Sequence, residues 1–234
     1  MLSEINSIEP NWALDLIALA YFIAMWLGYS AYAQKHYATR PNLMFIMDQM
    51  RAQWMRSILR RPNRIADANL VGNLLRSISF LANTSIFILI GLITVLGYRE
   101  SAIDMLNTIP FAAPTGPLMW ELKVFTLVLI FVYAFFKFTW SLRQYNYCTI
   151  LVGAAPMPDE TPELHDDFGF KAGAVIQNAG KHFNMGMRAY YFGMAALSWF
   201  LHPILFILLT TLIIAVTYRR EFRSHTLVNL SRQD

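Results

Sequence analysis

A single cysteine, Cys148, occurs in 234 residues, which excludes an internal disulfide framework and any four-cysteine zinc site. Charge is also scarce. Asp, Glu, Lys and Arg make up 15% of the chain, against about a quarter in an ordinary soluble domain. The five histidines, at 36, 165, 182, 202 and 225, include no pair at the i, i+4 spacing of a helical zinc site. There is no G-x-S-x-G, no P-loop and no C-x-x-C-H haem attachment. The glycines between Lys171 and Gly180 lack the strand context of a dinucleotide fold. No catalytic residue, metal ligand or cofactor is therefore expected, and the balance falls against an enzyme.

Apolar residues are abundant: the AVILMFWYC set supplies 56%, and Phe, Trp and Tyr alone supply 15%, which excludes a disordered chain. Mean hydropathy is +0.38. The hydrophobicity is concentrated in four runs, at about 12–32, 78–98, 118–140 and 189–218. A helix rises about 1.5 Å per residue and the hydrocarbon core is about 30 Å thick, so roughly 20 apolar residues cross it. None of the runs alternates as barrel strands do. The expected fold is all-α: one polytopic membrane bundle over 1–234, with four spans and two cytoplasmic segments, 33–77 and 141–188. Residues 1–11 carry no Lys or Arg, unlike the start of a signal peptide. Trp12, Tyr29, Tyr32, Tyr98, Trp120, Trp140, Tyr190, Tyr191 and Tyr218 stand near run ends, where interfacial aromatic residues collect.

Loop charge sets the expected orientation. Segment 33–77 holds Lys35, Arg40, Arg51, Arg56, Arg60, Arg61, Arg64 and Arg76, and segment 141–188 holds Arg143, Lys171, Lys181 and Arg188; the connection between the second and third runs holds only Arg99. Cytoplasmic loops are the basic ones, which puts the amino terminus outside. The tail, with Arg219, Arg220, Arg223 and Arg232, fits this poorly if 189–218 is one tilted span, the form its length favours. A re-entrant hairpin turning at Pro203 would bring the tail back inside.

Two amphipathic segments flank the spans. From Asn42 to Arg60, Leu43, Ile46, Met47, Met50, Trp54 and Ile58 recur at helical spacing opposite Gln49, Gln53, Arg56 and Arg60. Such a helix suits either the headgroup plane, with Arg51, Arg56, Arg60, Arg61 and Arg64 on anionic lipid, or packing against a neighbouring subunit or the bundle. Gly153 to Asp167 reads as an acidic loop, and Phe168 to Arg188 as a second short helix. The basic residues border spans, so lipid rather than nucleic acid is the expected partner.

Polar residues inside the runs are the candidates for chemistry, because charge in a span is costly. Asp15, Glu121 and Lys123 share the outer layer; Asn83 and Thr84 lie in the second run, Lys137 near the end of the third, and His202 beside Pro203. Together they are a candidate polar path. Each also has a structural reading: an Asp15–Lys123 pair fixing register, helix-joining hydrogen bonds at Asn83 and Thr84, a snorkelling Lys137, and a His202 that caps a carbonyl freed by the proline.

Several stretches resemble a known family. They are Arg60-Arg61-Pro62-Asn63-Arg64-Ile65-Ala66-Asp67, Glu121-Leu122-Lys123 with Tyr133 to Trp140 and Arg143 to Tyr147, and the run Asn178 to Ser224. They are similar to the bacterial integral membrane family called domain of unknown function 599. The resemblance implies a multi-span membrane protein and supplies no substrate, cofactor or catalytic residue. Two functional expectations remain. One is a homo-oligomeric channel or transporter for a small solute or ion, favoured by the recurrence of polar residues in three runs. The other is a non-transporting scaffold or accessory subunit that binds lipids or a partner membrane protein through its cytoplasmic segments.

Overall fold

A computed structural model describes residues 12–110 and 112–231. The expectations for the leader 1–11 and for Arg232 lie outside the described residues. Among those described there are helices and no strands: α1 (Trp12–Lys35), α2 (Leu43–Ile58), α3 (Ile65–Gly97), α4 (Arg99–Asn107), α5 (Pro117–Ala154), α6 (Pro162–Leu197), a 3-10 turn (Ser198–Phe200), α7 (Pro203–Phe222) and α8 (His225–Ser231). Four helical stretches are long and apolar enough to cross a membrane: α1, α3, α5 and Pro203–Leu230.

Local chemistry sets the helix starts. Asn42 takes an extended conformation and its Oδ1 accepts from the Met44 N–H at 2.8 Å, capping α2. Asn63 does the same for Ile65 at the head of α3. Helices α5, α6 and α7 all open on a proline, whose missing N–H is no loss at a position that has no intrahelical acceptor. Within the apolar helices, Thr84, Thr94, Thr126 and Thr217 donate their hydroxyls to the carbonyl four residues back, so their polarity is satisfied inside their own helix.

Three features of the sequence reading change. First, the expected acidic loop is confined to residues 155–161, and its second half joins the expected short helix: α6 opens at Pro162, takes in Glu163, Asp166 and Asp167, and runs 36 residues to Leu197. Second, 189–218 is not a single span. Helix α6 ends at Leu197, the turn intervenes, and α7 starts at Pro203. The reason is local: Pro203 cannot donate to an α6 carbonyl, so the chain tightens into the 3-10 turn and restarts. Third, the two ends of that stretch meet. Arg188 forks onto Glu221, with Nε and Nη2 donating to Oε1 at 2.9 and 2.7 Å and Nη2 to Oε2 at 2.8 Å. The stretch is a helical hairpin, and its second arm lies within Pro203–Leu230, long and apolar enough to cross a membrane.

The chain clusters into two compact units. The first comprises residues 1–36, 87–132 and 189–219. In it α1 and α7 run parallel, since Phe22 packs on Phe206 at 4.9 Å, the Tyr21 hydroxyl bonds Thr211 at 2.7 Å, and Tyr32 lies 6.2 Å from Tyr218. The end of α6 runs antiparallel to them, with Phe192 stacked on Trp26 at 5.1 Å and Trp199 reaching Asp15.

The second unit comprises 37–86, 133–188 and 220–234. Its centre is the approach of α2 to α6. A Cβ placed on Gly173 would lie 3.2 Å from Ala52 Cβ and 3.3 Å from Ala52 Cα, so these two helices pack nearly backbone to backbone. Met55 and Ile58 are buried. The side of α2 with Asp48, Ala52 and Met55 thus faces the protein, while Leu43, Ile46, Met47 and Trp54 of the apolar stripe are half-buried and Met50 is exposed. Ser141 donates to the Ala179 carbonyl at 2.8 Å, tying α5 to α6, and α8 packs against α2.

Candidate functional site

In the first unit the structure joins Asp15 and Lys123. Lys123 Nζ lies 3.2 Å from Asp15 Oδ1, and the side chains are 1% and 4% exposed. Asp15 Oδ1 also accepts from Trp199 Nε1 at 2.5 Å. Lys123 donates to Thr115 Oγ1 at 3.3 Å and sits 5.6 Å from the centre of the Trp199 ring. Trp199 in turn stacks on Phe206 at 5.0 Å, and Phe206 on Phe22. Both charges are thus neutralised, hydrogen-bonded and covered by aromatic rings. Trp199 was not singled out from the sequence; only the turn at 198–202 swings it onto Asp15.

The other candidates of this unit stand apart from the pair. Glu121 is exposed and takes an ion pair from Arg99 at 2.7 Å. His202 is half-buried. Its Nδ1 accepts from the Ile204 N–H at 3.1 Å, so it caps the start of α7 instead of donating to a freed carbonyl. It borders an apolar hollow of about 410 Å³ with Ile109, Pro110, Leu201, Ile204 and Leu208 among its walls.

In the second unit, Thr84 bonds its own helix, Asn83 is exposed, and Lys137 lies over the Tyr133 ring at 5.1 Å. Three of the five candidate lipid-contact arginines bond within the protein, Arg51 and Arg64 half-buried and Arg61 exposed. Arg51 pairs with Asp48 at 2.6 Å, and Asp48 also accepts from the Tyr37 hydroxyl. Arg61 pairs at 2.6 Å with Asp67 Oδ1, which also accepts from Trp54 Nε1 at 2.8 Å. Arg64 donates to the carbonyls of Ala155 and Pro156, holding the connection between α5 and α6. Arg56 and Arg60 are exposed. Burial, then the bond to Asp48, pushes the Tyr37 phenol up, away from ionisation.

The His182 ring packs against Trp140 at 6.2 Å and its Nδ1 is buried without a hydrogen bond. Desolvation, followed by the nearby Lys137 and Lys181 charges, lowers its pKa. Among the described residues no group of three or more His, Cys, Asp or Glu side chains is placed to hold a metal ion.

Comparison with known proteins adds one finding. The model of the family described as a protein of unknown function, DUF599, matches residues 17–226, and the chain belongs to that family. No curated protein and no solved structure matches it.

Proposed function

We propose that this member of the family is a non-transporting scaffold or accessory subunit of the bacterial inner membrane, with its amino terminus outside. The observation that carries the reading is the closure of the Asp15–Lys123–Trp199 set. A solute path needs polar groups with unspent valence facing water. Here the charges buried in the first unit are spent on each other, beneath Phe22 and Phe206. The orientation rests on charge. It also draws on the hairpin at 198–202: with it, the fifteen described Lys and Arg residues of segments 33–77, 141–188 and the tail share one side, against Arg99 on the other. On that basic side, exposed Arg56 and Arg60 meet the anionic headgroups of the inner leaflet.

Reconstitution tests both halves. Vesicles loaded with a pH- or potassium-sensitive dye should leak no faster with the protein than without it, at zero or imposed potential. In spheroplasts an impermeant thiol reagent should label Ser101→Cys and leave Ser57→Cys protected. Flux that falls with Asp15→Asn or His202→Ala would overturn the scaffold reading in favour of transport. Labelling of Ser57→Cys alone would reverse the orientation.

A further inference from the structure

In the charge-free run of α3 two polar side chains, Ser79 and Asn83, make no bond within their own helix, and Asn83 is the more exposed of the two. The hydroxyls of Thr84, Ser85 and Thr94 donate to carbonyls one turn back, at 2.8, 3.0 and 2.9 Å. The Asn83 amide makes no bond to any described residue, and it is exposed. It stands five residues into the charge-free run 78–98, about 8 Å past its start. Lipid tails offer an amide neither a donor nor an acceptor, and an unsatisfied polar group in hydrocarbon costs several kcal/mol.

The neighbours of Asn83 on this one helix form a pattern. Phe80, Asn83, Phe87, Ile90 and Thr94 fall at i, i+3, i+7, i+10 and i+14, and all five are exposed, Phe80 at 69% and Phe87 at 70%. This is the heptad seam of a parallel coiled coil. The opposite side of α3, with Val71, Ile78, Ala82 and Ser85, is already buried.

We infer that this face of α3 is the contact between two copies of the chain, with Asn83 of each bonded to Asn83 of the other. Copies of one chain insert with one orientation, so their α3 helices meet parallel, equal depth to equal depth, about a two-fold axis along the membrane normal. An amide both donates and accepts, so it complements itself across such an axis. A single Asn in an apolar seam is also the device that fixes register. A different membrane protein would have to supply an amide at that depth; a second copy supplies it by symmetry.

The test uses full-length protein in vesicles, half labelled with a donor and half with an acceptor dye, diluted stepwise with lipid. Energy transfer should persist well above random proximity. Asn83→Leu should weaken association about three- to thirty-fold, while Asn83→Gln retains most of it. Helix content should not change, since Asn83 is exposed. Oxidation should link Asn83→Cys into dimers and leave Phe125→Cys, an exposed site on α5, unlinked. Buried Cys148 is replaced by Ala in both. Transfer at the random level, equal association of the Asn83→Leu variant, dimers formed through Phe125→Cys, or linkage of Asn83→Cys in native membranes to a different protein would each overturn the proposal.

Discussion

Asp15 and Lys123 should behave as one unit in a double-mutant cycle. At 3.2 Å, with an effective dielectric constant near 20, their attraction is about 5 kcal/mol before desolvation is counted. Removing one partner of a buried pair typically costs about 3–5 kcal/mol, because the other charge stays behind. Asp15→Asn keeps an acceptor for Trp199 Nε1 but leaves the Lys123 ammonium with Thr115 and the Trp199 ring. Its cost should lie in that range. Lys123→Met leaves a lone carboxylate still bonded to Trp199, which softens the loss to about 2–4 kcal/mol. The double variant Asp15→Asn/Lys123→Met has no charge to desolvate and a chain of similar volume at position 123. It should return to within about 2 kcal/mol of the wild type. The coupling energy is then at least about 3 kcal/mol, far above the tenths expected for independent sites. Denaturant unfolding in detergent micelles, followed by tryptophan fluorescence and circular dichroism, gives all four corners of the cycle. A double variant whose loss equals the sum of the two single losses would refute the idea that the pair holds α1 and α5 in register.

Two further outcomes follow from the second unit. Gly173→Val places a branched side chain against Ala52 Cα and Cβ, where neither backbone can yield, and should destabilise by about 1–3 kcal/mol or more; Gly153→Val, at a glycine with open space around it, serves as the control. Unaltered melting of the Gly173 variant would mean that α2 and α6 separate easily. The second outcome concerns pH. His182 has a folded pKa below its unfolded value near 6.5, so its stabilising contribution is present above that value and is lost as pH falls through it. Melting temperature should drop between pH 7.5 and 5.5, and by less in His182→Gln; identical pH profiles would remove the argument.

Hydropathy and charge alone determined that this is a helical membrane protein, where its apolar runs lie, and that Asp15 and Lys123 match in depth and oppose in sign. These properties are local or nearly so. Whether twenty residues can leave water, and which loop ends attract the cytoplasm, depends on composition along the chain and not on neighbours. Pro203 also announced a break in the last run. The tertiary structure alone decided how that break is used. Proline stops a helix but does not choose the direction of the next one; the bond from Arg188 to Glu221, 33 residues apart, reveals the hairpin. Likewise Gly169, Gly173 and Gly180 read as small residues of no particular meaning until α2 lies against them. The arginines show the same division. Sequence counts eight basic residues between 33 and 77, but it cannot tell half-buried Arg51, spent on buried Asp48, from exposed Arg56 on the same helix. Burial is a property of what packs on a residue, and the packing partners come from distant turns of the chain.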